Sequence, residues 1–154
     1  MNDIAKQVIA SLQGKTLATA ESCTGGGIGA ALTAVSGSSA VFKGGIISYC
    51  NEIKHRLLGV PEDLLADRGA VSAPVAEAMS LGVKNALQTD IAVSVTGLAG
   101  PGGDEFGNPV GTVFIGYADE KCCISREFHF IGDREEVRKQ AINSALMLIL
   151  EQNR

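Results

Sequence analysis

The residues with the clearest chemical potential lie in one short stretch near the N-terminus. An apolar run, Thr16–Ala20, is followed by the polar segment Glu21–Thr24 and then by three glycines, Gly25–Gly27. This order predicts a strand, a tight turn and a helix, with the Ser22 hydroxyl exposed where the strand ends. Backbone N–H groups at the start of such a helix can hold an anion or a developing oxyanion. The stretch matches no nucleophile-elbow or nucleotide-loop signature, so a purely structural turn remains an open alternative.

A serine hydroxyl is a weak nucleophile until a base takes its proton, and Lys54 is the best candidate for that base. Lys54 lies one helical turn beyond a strand that ends near Tyr49. A lysine drawn into an apolar crevice has a lowered pKa because burial disfavours its charged form. A Ser–Lys pair is a known variant of the catalytic triad. His55 and His129 are predicted to lie on solvated surfaces, and a surface position is also the alternative for Lys54.

Three predicted strand ends can meet around Ser22. Tyr49 lies near the end of Phe42–Cys50, interpreted as a buried strand, and Thr96 follows the strand Ile91–Val95. If these strands are parallel, Ser22, Tyr49 and Thr96 all emerge at the edge where open α/β sheets bind ligands. Tyr49 and Thr96 can then each supply a hydroxyl. The alternative for Tyr49 is a ring that faces the core.

Three charged residues and one thiol are further candidates. Arg134 and Arg138 lie one turn apart at the start of the last predicted helix, where they can clamp a phosphate or a carboxylate. Ion pairing with neighbouring glutamates is their alternative role. Glu21 either orients the turn or binds a ligand, and nothing in the sequence decides between the two. Cys23 is a rival nucleophile, although no histidine lies near it in the sequence to activate the thiol.

Composition narrows the class of protein. The 154 residues carry a net charge of −4 with no Lys/Arg block, which disfavours nucleic acid as the main partner. The length predicts a single domain over residues 1–154. No apolar run is long enough to span a membrane. The four cysteines lack zinc-ligand spacing, so we expect a reduced, cytoplasmic protein in which Cys122 and Cys123 serve packing rather than a disulfide.

The pattern of apolar residues predicts about five strands and four main helices, largely in alternation. It indicates a three-layer α/β/α sandwich with a mixed, mostly parallel sheet and helices on both faces. Asn51 and Ser72 are predicted helix N-caps, and Asp133 with Glu136 forms a predicted capping box. An edge strand from the final hairpin and an apolar last helix predict a homodimer or a larger homo-oligomer.

Several motifs together resemble the CinA C-terminal domain family, over nearly the whole chain and in the same order. They are Ala20–Gly26 (AESCTGG), Gly37–Ser39 (GSS), Tyr49–Lys54 (YxNxxK), Gly69–Ser72 (GAVS), Thr96–Pro101 (TGxAGP), Pro109–Val113 (PVGTV) and Gly132–Arg138 (GDRxxVR). The characterised activity of that family is hydrolysis of the carboxamide of nicotinamide mononucleotide (NMN), which gives nicotinic acid mononucleotide and ammonia. The resemblance therefore implies an amidohydrolase of pyridine-nucleotide recycling. Its alternative is a non-catalytic, competence-associated nucleotide-binding module.

The resemblance also implies roles for single residues. Ser22 would be the nucleophile, Lys54 its general base and Tyr49 a supporting hydroxyl, and Thr96 matches a position where the family has Ser or Thr. Substrate binding would fall to a basic pair and to two backbone segments, namely Arg134 and Arg138, the oxyanion-binding amides of Thr24, Gly25 and Gly26, and the loop that contains Gly97 and Gly100. The chemistry needs no metal and no cofactor, and the expected small-molecule partner is NMN, with neither nucleic acid nor a membrane as a partner.

Overall fold

The computed structural model describes residues 2–154. Helices and strands alternate over the first part of the chain, after which three successive helices are followed by three successive strands and a last helix. One short 3₁₀ turn, Ser38–Ala40, precedes the second strand. The elements are α1 (Asn2–Ser11), β1 (Leu17–Glu21), α2 (Gly27–Thr33), β2 (Phe42–Ile47), α3 (Asn51–Leu58), α4 (Glu62–Arg68), α5 (Ala73–Leu87), β3 (Ile91–Gly97), β4 (Thr112–Ala118), β5 (Cys123–His129) and α6 (Arg134–Gln152).

The sheet is mixed, in the strand order β2-β1-β3-β4-β5. β1 lies between β2 and β3 and is parallel to both of them. β4 runs antiparallel to β3, and β5 completes the predicted hairpin with β4. The carboxyl ends of three neighbouring strands therefore meet at one edge of the sheet, and this edge carries the residues of interest.

Helices cover both faces of the sheet and make the three layers. α1, α2 and α6 pack on one face, where the larger core contains Leu12, Ile28, Ile115 and Leu146. α5 covers the other face, with α3 and α4 beside it. β1 and β4 are buried along their whole length because both of their faces are covered, which explains why their sequences are nearly continuous apolar runs. The predicted α/β/α sandwich is confirmed.

The second strand differs from its prediction. The apolar segment Phe42–Cys50 was expected to form a buried strand, whereas β2 ends at Ile47 and lies at the edge of the sheet. Its residues alternate between half-buried and exposed, and 55% of Ile47 is exposed. An edge strand has one unpaired side, so apolar content alone does not indicate full burial.

Helix ends follow the sequence signals in part. Asp133 and Glu136 form the predicted capping box, and Gly59 ends α3 in the left-handed conformation. The predicted N-cap at Asn51 is wrong, whereas Ser72 does hold the predicted N-cap position of α5 but makes no capping hydrogen bond with its side chain. Cys50 holds the N-cap position of α3, while Ser72 lies at the N-cap position of α5 but donates its hydroxyl to the Gly69 carbonyl.

Three further findings concern membrane-spanning helices, metal sites and cysteines. In the part of the chain that the structure describes, no helix is long and apolar enough to cross a membrane, and no three His, Cys, Asp or Glu side chains form a group that could hold a metal ion. All four cysteines are free thiols. Cys122 packs partly against the core as predicted, whereas Cys123 is exposed.

Candidate active site

The Ser22 hydroxyl and the Lys54 amine lie next to each other, although 32 residues separate them in the chain. The distance from Lys54 Nζ to Ser22 Oγ is 3.0 Å. Only 8% of Ser22 and 1% of Lys54 are exposed. An amine and a hydroxyl at this distance are within reach of direct proton transfer.

Two adjacent parallel strands explain how this pair comes together. Ser22 directly follows β1, and Lys54 lies in the first turn of α3, just after β2. The strand ends are joined by a hydrogen bond from the Ser48 amide to the Glu21 carbonyl, at 2.8 Å. The Ser48 carbonyl in turn accepts a hydrogen bond from Lys54 Nζ at 2.7 Å, which holds the amine in place.

Burial sets the protonation behaviour of Lys54. It lowers the pKa of the Lys54 amine from 10.5 to about 8, because the charged form is poorly solvated. No carboxylate forms a salt bridge with this amine in the described residues. With this pKa about a tenth of Lys54 is neutral at pH 7, and the neutral amine is the form that a general base requires.

A cavity of about 280 Å³ opens at this pair. Its walls come from the ends of β1 and β3, the start of α3, the start of α6 and two loops. They comprise Ser22, Cys23, Tyr49, Asn51, Lys54, Ala70, Val71, Thr96, Gly97, Leu98, Ala99, Gly100, Gly102 and Arg134. Seven of the predicted site residues thus line one cavity, namely Ser22, Tyr49, Lys54, Thr96, Gly97, Gly100 and Arg134.

Tyr49 and Arg134 form one rim of this cavity. Arg134 Nη2 donates to the Tyr49 hydroxyl at 3.1 Å, and Nη1 donates to the Gly100 carbonyl at 2.6 Å. The Tyr49 side chain is exposed, so the alternative in which its ring faces the core is wrong. The Arg134 guanidinium joins the segment after β2 to the loop after β3, and no salt bridge among residues 2–154 pairs it with a glutamate.

Thr96 and Gly97 form the cavity wall at the end of β3. Thr96 Oγ1 donates to the Ala70 carbonyl at 2.8 Å, so its hydroxyl proton is already engaged and its oxygen remains an acceptor. A Cβ atom on Gly97 would lie 2.6 Å from a methyl carbon of Val113. This position therefore needs glycine for close packing against β4.

The cavity walls exclude five residues that were predicted to bind substrate, namely Glu21, Thr24, Gly25, Gly26 and Arg138. The buried Glu21 carboxylate instead accepts three hydrogen bonds inside the turn. The donors are the Thr24 hydroxyl at 2.6 Å and the amides of Ile28 and Gly29 at 2.9 and 3.0 Å. Glu21 therefore anchors the start of α2, which is the first of its two expected roles.

The glycines after Ser22 make the turn itself. Gly25 and Gly26 have positive φ angles of 57° and 100°, which side chains rarely adopt. The Gly25 amide donates to the Ser22 carbonyl at 3.0 Å, so it is already engaged inside the turn. Of the three predicted oxyanion donors, only the amides of Thr24 and Gly26 lack an acceptor among residues 2–154.

We expect Glu21→Gln to destabilise the fold, because an amide cannot accept from all three donors without turning its own N–H group toward one of them. The free energy of unfolding should fall by about 2 kcal/mol. Urea denaturation followed by circular dichroism measures this change. Glu120→Gln, in the exposed loop between β4 and β5, is the matched control and should change stability by less than about 0.5 kcal/mol. An unchanged midpoint for Glu21→Gln would contradict the anchoring role.

Cys23 lies beside Ser22 but is poorly suited to attack a substrate. Burial raises the pKa of the Cys23 thiol to about 11, so the thiolate is scarce at neutral pH. The two histidines lie away from the cavity, where His55 contacts Glu62 at 3.0 Å and His129 contacts Glu127 at 2.6 Å. The structure therefore brings no histidine to the serine.

Some cavity residues have no assigned role in the sequence analysis. Asn51 stands in the Tyr49–Lys54 motif, but only as an expected helix cap. Ala70 and Val71 belong to a quoted motif between α4 and α5 and carry no reactive group. Their position depends on the Thr96 hydroxyl and on Asn108, whose side-chain amide donates to the Val71 carbonyl at 3.2 Å. Contacts of this kind leave no local signal in a sequence.

Comparisons with known proteins agree with this architecture. The family model described as the CinA C-terminal domain matches residues 1–153. A CinA-like protein from Geobacter sp. (strain M21) is 54% identical over 125 residues, which cover 81% of this chain and 30% of that protein. A CinA-like protein from Thermosynechococcus vestitus is 53% identical over 141 residues, covering 90% of this chain and 34% of the relative. The chain thus spans about a third of the length of these relatives.

Solved structures are similar over their full length. The competence/damage inducible protein CihA from Agrobacterium tumefaciens superposes with a TM-score of 0.96 at 36% identity, covering 99% of this chain and 95% of that one. The CinA superfamily protein KP700603 from Klebsiella pneumoniae gives a TM-score of 0.95 at 35% identity, covering 98% and 96%. Fold, family model and sequence identity agree, and this chain belongs to the CinA C-terminal domain family.

Proposed function

We propose that this domain hydrolyses the carboxamide of NMN through an ester on Ser22, with Lys54 as the general base. The observation that carries the proposal is the buried 3.0 Å contact between Lys54 Nζ and Ser22 Oγ at the wall of a cavity. The lowered pKa of Lys54 supports it further, because a base must be neutral to accept a proton.

In the first half of the reaction, neutral Lys54 takes the proton of the Ser22 hydroxyl. The Ser22 oxygen then bonds to the carboxamide carbon, and the carbonyl oxygen becomes an oxyanion. The amides of Gly25 and Gly27 already donate within the turn, so the candidate donors to this oxyanion are the amides of Thr24 and Gly26, although neither residue lines the cavity. One such donor lowers the barrier by roughly 3–4 kcal/mol.

The second half returns the enzyme to its starting state. Protonated Lys54 gives its proton to the departing nitrogen, which leaves as ammonia and breaks the carbon–nitrogen bond. Water then attacks the ester while Lys54 accepts a proton from it. The carbon–oxygen bond to Ser22 breaks, Lys54 returns the proton to the serine, and the carboxylic acid is released. Throughout, the Ser48 carbonyl holds one N–H group of the amine, which keeps the lone pair directed at its partners.

The nucleotide character of the substrate is supported by the basic rim of the cavity. Arg134 lies there with its two bonded groups, Tyr49 and Gly100, and a guanidinium matches the geometry of a phosphate. The cavity volume of about 280 Å³ is near the lower end of small-molecule sites. NMN itself is proposed from the family resemblance, and we place its phosphate at this rim and its carboxamide at Ser22.

We expect kcat/KM for ammonia release to rise with pH and to reach half its maximum near pH 8. Lys54 acts as a base only when neutral, and its pKa of about 8 sets where that form becomes dominant. Initial rates between about pH 6 and pH 10 measure the profile. A profile that is flat across pH 8, or one that rises only toward the thiol pKa of about 11, would contradict Lys54 and favour Cys23.

The alternative is a nucleotide-binding module without turnover. It predicts that the purified domain binds NMN in calorimetry but releases no ammonia at any pH. Ammonia release that saturates with NMN concentration would reject this alternative, whereas binding without release would reject the hydrolase.

A further inference from the structure

The two arginines of α6 differ in what they contact, although they are one turn apart. Arg134 lines the cavity. Arg138 does not, and its half-buried guanidinium points at the turn that follows Ser22. Arg138 Nε donates to the Cys23 carbonyl at 3.0 Å and Nη2 donates to the Thr24 carbonyl at 3.2 Å.

We propose that Arg138 is a positioning residue. It holds the turn that follows Ser22, Cys23–Gly26, in the conformation in which Ser22 faces Lys54. The proposal rests on the proposed hydrolysis for its rate measurements, but not for its labelling measurement below. It gives Arg138 a different role from Arg134, which we place in contact with the substrate.

The contacts of Arg138 match this role. Its guanidinium binds two consecutive carbonyls directly after Ser22, so it fixes two peptide planes at once. Among the salt bridges of the described residues none involves Arg138, so this charge is committed to the turn rather than to an acid.

The turn is held from two sides. On the α2 side the Glu21 carboxylate binds the Thr24 hydroxyl and two helix amides. On the α6 side Arg138 binds the carbonyls of Cys23 and Thr24. Between these contacts the Gly25 amide donates to the Ser22 carbonyl and the Gly27 amide donates to the Thr24 carbonyl. Neither of these bonds holds the Cys23 carbonyl, and Gly25 and Gly26 are flexible, so without Arg138 the peptide next to Ser22 loses its hydrogen bond from α6.

The first test compares two substrates that differ by one group. NMN and nicotinamide riboside share the carboxamide, but only NMN has a phosphate. For Arg138→Gln we expect kcat to fall about 100-fold on both substrates by the same factor, with KM changed less than about 3-fold. If KM rises for NMN alone, Arg138 binds the phosphate and the proposal is wrong.

Matched variants complete the rate measurements. Lys139→Gln removes a positive charge from the exposed face of the same helix and should keep wild-type rates on both substrates. Arg138→Lys keeps the charge but can reach one carbonyl well rather than two, so we expect an intermediate kcat. If Arg138→Gln fails to fold, as judged by circular dichroism, Arg138→Lys carries the same comparison. A kcat of Arg138→Lys equal to that of wild type on both substrates would overturn the proposal.

The second test does not depend on NMN being the substrate. Phenylmethanesulfonyl fluoride reacts with an activated serine, whose oxygen bonds to sulfur and displaces fluoride while the base takes the proton. The mass increase at Ser22 gives the rate. We expect Arg138→Gln to react about 100-fold more slowly than wild type and Lys139→Gln. Equal rates, or a wild-type Ser22 that does not react, would overturn the positioning role. A wild type that is labelled normally but releases no ammonia from NMN would reject only the proposed substrate.

Discussion

Ser22→Ala is expected to lower ammonia release from NMN by about 10⁴-fold or more, while the fold stays intact. The variant lacks the oxygen that forms the ester, so no covalent intermediate can arise. Only 8% of Ser22 is exposed, and alanine fits the same buried space because it lacks only the hydroxyl oxygen. The measurement is ammonia release at saturating NMN, with thermal unfolding as the check on folding.

Ser11→Ala is the matched control for this experiment. Ser11 is exposed on α1, and its hydroxyl binds only the Val8 carbonyl of the same helix. The control should keep full activity. Measurable turnover by Ser22→Ala at more than about a hundredth of the wild-type rate would refute Ser22 as the nucleophile.

Lys54→Met is expected to lower kcat by about 10²- to 10⁴-fold, the usual contribution of a general base. Methionine has a similar length and leaves the cavity wall in place, but it cannot accept the serine proton. The same variant should also abolish the rise of activity near pH 8, since that rise belongs to the Lys54 amine. Lys6→Met, on the exposed side of α1, is the control and should keep both the rate and the pH profile.

The stability of Lys54→Met should change in the opposite direction to its activity. Because the folded-state pKa of about 8 lies below the ordinary lysine pKa of 10.5, burial of charged Lys54 costs about 3 kcal/mol well below pH 8. Methionine removes this cost, but the variant also loses the hydrogen bonds of Lys54 to Ser22 and to the Ser48 carbonyl, which offsets about 2 kcal/mol. We therefore expect the free energy of unfolding of Lys54→Met to be about 1 kcal/mol higher than that of wild type at pH 7.

The pH dependence of this difference is the sharper observation. Between pH 8 and pH 10.5 the unfolded state binds more protons than the folded state, so wild type gains stability as the pH rises. The advantage of Lys54→Met should shrink over that range. Urea denaturation at several pH values measures it, and an advantage that stays constant from pH 7 to pH 10 would contradict the lowered pKa.

Much of the fold follows from local signals. The apolar runs of β1, β3 and β4, the capping box at Asp133 and the glycine after α3 each depend on neighbouring residues alone. β2 was misjudged because an edge strand and a central strand differ in what lies beside them. That difference is a property of strand order, which residue types along one strand do not encode.

The candidate site was predictable where strand ends carry reactive groups. The convergence of Ser22, Tyr49 and Thr96 required only that three strands be parallel, and they are. The contacts of Glu21 and Arg138 were not predictable, since a buried carboxylate and a half-buried guanidinium look like surface charges in a sequence. Only the fold shows that both face the same turn.

The contact between Arg138 and Cys23 joins residues 115 positions apart. During synthesis on a ribosome, the turn that follows Ser22 is therefore made long before α6, the helix whose Arg138 binds it. The strands can begin to pair early, but the Arg138 guanidinium is synthesised 115 positions after Cys23. Catalytic competence should consequently appear late in biogenesis, after nearly the whole domain has been translated.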